Sequence, residues 1–234
     1  MATQQTLSLV DVIHRTASYS VEDIRPLLKY LDFKPERRDL ASRLAAQEIA
    51  DRLRRMGSND IASMFRGGDG VAYEEVVCDV GEKLKAKGVS PSNTVSRNEE
   101  LIIEKVFADT LDSMSEDEKR VLFRSMNLDV KDVPLASSAA VLMPILLHQF
   151  GGFATYRLAV IIANMVSRAL LGSGLSFAAN AVITRTVGTL LGPIGWIATG
   201  AWLAVDLAGP AFRKTVPAVL YVAALRLTLA NRLS

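Results

Sequence analysis

The sequence predicts an all-α protein, and three observations carry that prediction. Apolar residues recur at the i, i+3, i+4, i+7 spacing of one helical face in segment after segment. Capping-box signatures stand at Ser20-Val-Glu-Asp23 and Ser115-Glu-Asp-Glu118, each ahead of such a segment. No segment sustains the alternation of apolar and polar residues that a half-buried strand shows.

Taken in order, Ile24, Leu27, Leu28 and Leu31 form the first stripe, which Pro26 enters near its start. Pro35 suits the first position of a second helix, because its missing N–H is one that a helix start leaves unused. Leu40, Ala41, Leu44, Ala45, Ile49, Leu53 and Met56 line that helix until Gly57 ends it. A short helix around Ile61 to Phe65 leads into the loop Arg66-Gly67-Gly68-Asp69-Gly70. Tyr73, Val76, Val77, Val80 and Leu84 then repeat at helical spacing up to Gly88, and residues 88–98 read as a linker. Two more helices follow, one marked by Leu101, Ile102, Lys105, Val106 and Leu111, the other opened by Ser115. Phe65, Tyr73, Val76 and Val80 are expected to form a local core around the glycine loop. Arg66, Gly67, Gly70, Tyr73 and Asp79 are its candidate motif residues.

The texture changes at Val133. Residues 1–132 hold 20 Lys+Arg and 24 Asp+Glu, whereas residues 133–234 hold 7 basic side chains and a single acid, Asp206. This predicts a soluble, charge-rich helical region over 1–132 and an apolar, cationic helical region over 133–234. The excess of cations biases only the second toward an anionic surface such as lipid headgroups.

Within that second region the stretch Thr186 to Val205 carries no charge and approaches the ~20 residues that span a bilayer core as a helix. Gly192-Pro193-Ile194-Gly195, followed by Trp196, breaks it with a turn signature, so a helical hairpin is expected in place of one straight rod. An acid among apolar helices needs a cationic partner. Arg213 stands seven positions on from Asp206 with Pro210 between, and the reversal would bring Arg185 near that acid, which makes Arg185 the favoured partner. Arg157 and Arg168 are about three turns apart, share one face of a continuous helix and suit snorkelling to headgroups. With Arg213 these residues make up the candidate membrane or interaction region.

Chemistry is sparse. The lone Cys78 excludes an internal disulfide and a thiolate metal cluster. His14 and His148 lack the spacing of a metal pair. The glycine loop has neither the Gly-Lys-Ser/Thr ending nor the preceding strand of a phosphate-binding loop. Glu74/Glu75 and Glu99/Glu100 read as solvated helix faces, and Arg52, Arg54 and Arg55 are diluted by neighbouring acids with no aromatic residues for base stacking. No catalytic residue, metal, cofactor, small-molecule substrate or nucleic-acid partner is expected.

Several strings carry a family resemblance. They are Asn59-Asp-Ile-Ala62, Phe65-Arg-Gly-Gly68 with Tyr73, Asp79-Val80 and Lys83-Leu-Lys85, and the ending Ala208-Gly-Pro-Ala-Phe-Arg213 with Thr215-Val-Pro-Ala-Val219. On these the chain resembles the YaaW-like family of uncharacterised bacterial proteins, a family grouped with the ubiquinol-cytochrome c chaperone domain. Phe212 stands where the family has Tyr, and the glycine loop has one extra residue. The resemblance implies a helical protein and supplies no catalytic residues.

Three function classes fit these features: a non-enzymatic membrane-associated protein, a soluble chaperone-like factor for a membrane-protein client, and a pore-forming toxin or effector. The N-terminus lacks the basic and apolar blocks of a secretory signal, so the expected location is the cytoplasm, at the inner membrane.

Overall fold

The computed structural model describes residues 7–34, 37–57, 70–125, 128–150, 156, 158–163 and 212–233. Those residues are helical or in turns, with no strand among them, and the protein is all-α.

The first helix, α1 (Leu9–Tyr19), is capped by Ser8, whose Oγ accepts from the Asp11 amide at 3.1 Å. It has no counterpart among the sequence expectations, although its buried Leu9, Val12, Ile13, Thr16 and Ala17 form an ordinary helical stripe. Ser20 closes α1 and makes no side-chain cap, so the expected capping box is not formed; a single 3₁₀ turn (Val21–Asp23) intervenes before α2 (Arg25–Tyr30). Ile24, Leu27, Leu28 and Leu31 are all fully buried, as their spacing requires.

Helix α3 (Arg43–Gly57) corrects the expected helix in its start and its stripe: residues 37–42 ahead of it are not helical, so it is not opened from Pro35, Ala41 is exposed outside it, and Leu44 is 69% exposed. The buried arc is made by Ala45, Ala46, Ile49, Ala50, Leu53 and Met56. At about 100° per residue, Leu44 falls roughly on the opposite side of the helix. Helix α4 (Tyr73–Lys83) buries Tyr73, Val76, Val77 and Val80 as predicted. Helix α5 (Val95–Ser113) begins inside the expected linker, capped by Thr94, whose Oγ1 accepts from the Arg97 amide at 3.3 Å. The second capping box does form: Glu118 accepts from the Ser115 amide at 2.8 Å, and Ser115 Oγ accepts from the Glu118 amide at 3.3 Å, opening α6 (Glu116–Ser125). Helix α7 (Ala139–Phe150) packs on α5.

Helix α8 (Phe212–Leu233) decides the architecture. It lies against α1, α2, α3, α4 and α5, and residues 215–226 are buried without interruption. A helix apolar on all sides belongs in the middle of a bundle. The boundary that charge suggests at 132 is thus crossed by a helix of the charge-poor region inserted among helices of the charge-rich one. Leu158, Ile161 and Ile162 join the same continuous apolar core as α8. Among the described residues no helix is long and apolar enough to cross a membrane.

Candidate functional site

The glycine loop ends at Gly70, which the structure places against the α3 backbone. A Cβ there would stand 2.7 Å from the Arg54 carbonyl carbon and from the Arg55 amide nitrogen, so only glycine allows this approach. Arg54 Nε donates to the Val71 carbonyl at 2.9 Å and fixes the chain as it enters α4. Arg66, Gly67 and Phe65 lie outside the described residues.

Tyr73, the first residue of α4, points inward, and its hydroxyl donates to Glu99 Oε1 at 2.9 Å. Glu99 is 2% exposed. Arg226 of α8 reaches it with Nε at 2.6 Å from Oε2 and Nη2 at 3.2 Å from Oε1, while Nη1 donates to the Leu7 carbonyl. One guanidinium and one carboxylate thereby join α4, α5, α8 and the chain ahead of α1. Burial pushes the Glu99 carboxyl above the ordinary glutamate range, against the pull of Arg226 and the Tyr73 hydroxyl. Burial and the adjacent carboxylate push the Tyr73 phenol well up, so it remains a donor.

This is where sequence reasoning missed most. Glu99 reads as part of a solvated Glu99/Glu100 pair, yet it shares the buried face of α5 with Ile102, Ile103 and Val106. That i, i+3, i+4, i+7 relation was the available signal. Glu100 does face outward, 3.1 Å from Arg97.

The outer side of α4 borders a cleft of about 790 Å³, lined by the acids Glu74, Glu75, Asp79 and Glu82 and by a single cation, Lys85. Partial burial, then Glu75 and Glu82, raise the Asp79 carboxyl. Cys78, which accepts from Asn98 Nδ2 at 3.6 Å, also borders the cleft; partial burial and the surrounding carboxylates push its thiol up, away from thiolate reactivity. The cleft therefore presents negative charge without an activated nucleophile. Among the described residues no group of His, Cys, Asp and Glu is arranged to hold a metal ion.

The remaining expected residues divide simply. Arg213 is exposed near the start of α8. Arg157, Arg168, Arg185, Gly192, Pro193, Gly195, Trp196 and Asp206 lie outside the described residues, and with them the expected hairpin and its Arg185–Asp206 pair.

The inner face of α4 carries a prediction. Tyr73→Ala should lower stability by about 3 kcal/mol or more, the range for deleting a buried aromatic. Tyr73→Phe should cost only about 1–2 kcal/mol, since it removes the hydroxyl from a buried carboxylate and leaves the ring. Urea denaturation followed by circular dichroism measures both, and equal losses would show that the ring contributes nothing beyond its hydroxyl.

Fold and site together define a helical bundle closed by its own C-terminal helix and locked by a buried ion pair. The chain belongs to the UPF0174 protein family. It is 42% identical over 182 residues to a UPF0174 protein of Helicobacter pylori (strain J99 / ATCC 700824), covering 78% of this chain and 71% of the relative. A UPF0174 protein of Helicobacter pylori (strain ATCC 700392 / 26695) is 37% identical over 186 residues, covering 78% of this chain and 88% of the relative. The UPF0174 protein YaaW of Escherichia coli (strain K12) is 27% identical over 180 residues, covering 77% and 70%. No family model matches the chain. No solved structure matches it either.

Proposed function

We propose that this chain is a non-enzymatic membrane-associated helical protein of the inner membrane's cytoplasmic face, in which the bundle carries the uncharged stretch Thr186 to Val205 to the bilayer. The observation that carries this reading is the composition of that stretch, which holds no charged side chain between Arg185 and Asp206. So long a charge-poor stretch is costly to leave in water and suited to hydrocarbon. Arg213, exposed where α8 begins, supplies a cation for headgroups beside it. In this reading Gly192, Pro193 and Gly195 reverse the chain, and Arg185 returns toward Asp206.

Flotation of the full chain with liposomes tests the reading, and the chain is expected to rise with them. On a Cys78→Ser background, single cysteines at Leu190 and Gly200 should react with maleimide more slowly once liposomes are present. Equal labelling with and without liposomes would reject insertion.

A second reading, a soluble chaperone-like factor for a membrane-protein client, is favoured by the outward side of α7. There Val141 is 47% exposed and Ala140 and Pro144 are also exposed. A chain that stays soluble without detergent and fails to float would support it.

A further inference from the structure

We propose that the basic end of the bundle, where Arg52, Lys83, Arg213 and Lys214 meet around the start of α8, is a docking surface for the phosphates of anionic lipid headgroups. This rests on the membrane reading above and adds the chemistry of the lipid.

Contacts between described residues bring the four cations together. Helix α2 ends in a left-handed turn, in which Asp32 has φ 57° and the Phe33 amide donates to the Leu28 carbonyl at 2.9 Å. That turn carries the Asp32 carboxylate to Lys214, in the first turn of α8. Beside it, Arg52 of α3 donates through Nε to the Leu31 carbonyl at 3.3 Å. Lys83, in the last turn of α4, lies 5.3 Å from the ring centroid of Phe212, the residue before Arg213. Arg213 is exposed and the Lys214 side chain is 40% exposed, so an anion can reach both.

The acids next to these cations in sequence are turned elsewhere. Asp51 accepts from Gln47 and Arg54, while Asp79 and Glu82 line the cleft on the outer side of α4. Asp32 is the acid that the described contacts place among the four cations. The surplus of positive charge also stands where a helix tolerates it least. A helix N-terminus is the positive end of the dipole and is stabilised by acids, yet the first turn of α8 holds Arg213 and Lys214 and no acid. An anion from outside the chain offsets both the repulsion among the cations and their placement against the dipole. Nucleic acid is the less fitting anion, because the surface lacks the row of open aromatic rings on which bases stack.

The test uses the full chain, floated with vesicles of phosphatidylcholine alone or of phosphatidylcholine with phosphatidylglycerol. The wild type should partition better to the anionic vesicles, and added NaCl should erode that gain. At about fivefold per cation near a charged surface, Lys83→Gln/Arg213→Gln/Lys214→Gln should weaken partitioning to the anionic vesicles roughly a hundredfold. Arg120→Gln/Arg124→Gln/Lys131→Gln, which removes the same charge from α6 and the turn after it, should cost far less. Asp32→Asn removes the acid with a residue that also tolerates the left-handed turn, and it should strengthen partitioning about fivefold. Loss of stability cannot produce such a gain. If the triple variant does not fold, Arg213→Gln alone should still give about a fivefold loss. Equal partitioning of the wild type to both vesicles, or neutral effects of the triple variant and of Asp32→Asn, would overturn the docking surface and leave membrane association standing. Inorganic phosphate that abolishes the anionic preference at matched ionic strength would assign the surface to free phosphate and overturn the lipid. Failure of the wild type to float with either vesicle would overturn the membrane reading itself.

Discussion

Arg226→Met should lower the stability of the protein by about 3–5 kcal/mol, the cost of leaving one member of a buried ion pair without the other. The carboxylate left behind is 2% exposed, and its remaining described donor is the Tyr73 hydroxyl. The effect should depend on pH in a definite direction. Burial already raises Glu99, and removing the guanidinium raises it further. The native variant then binds a proton at a pH where the unfolded chain does not, so its stability falls as pH rises through that window. Acidification below neutrality should accordingly narrow the gap to the wild type. A Glu99→Leu/Arg226→Met double variant should regain most of the loss, since apolar side chains can replace a buried pair at little net cost. Urea denaturation across a pH series measures all three; a pH-independent deficit would show that Glu99 is not the group responsible.

The second large effect concerns the fragment 1–132, which the charge pattern marks out as a soluble unit. The fragment lacks α8 and with it Arg226, Tyr221 and the apolar face against which α1 through α5 pack. It should remain helical by circular dichroism, because its stripes and caps are local. Its denaturation midpoint should fall well below that of the full chain, and the transition should broaden as packing is lost. A fragment that unfolds as sharply and at the same midpoint would show that α8 is dispensable to the front helices.

Much of the helical content was legible because its causes are local. The stripe Tyr73, Val76, Val77, Val80 and the capping box at Ser115 involve neighbours within a turn or two, and both are found as read. Leu44 departs from its stripe because its angle around α3 sets it roughly opposite the arc of Ala45, Ile49 and Leu53. The box at Ser20 does not form because that serine terminates α1 and its side chain makes no cap.

The fold class, most helix positions, the family, the scarcity of charge after Val133 and the uncharged stretch Thr186 to Val205 are set by the sequence alone. The tertiary structure decided that α8 is the central helix of the charge-rich region, that Glu99 is buried, and that Arg226 is its partner. The physical reason is range. Periodicity and capping are set by residues a few positions apart, whereas Glu99 and Arg226 meet across 127 positions of sequence. The sign and solvation of a charge follow from what folds against it. An acid in a charged stretch and an arginine in an apolar one each read as ordinary alone, and only their meeting in one core makes them the lock of the bundle.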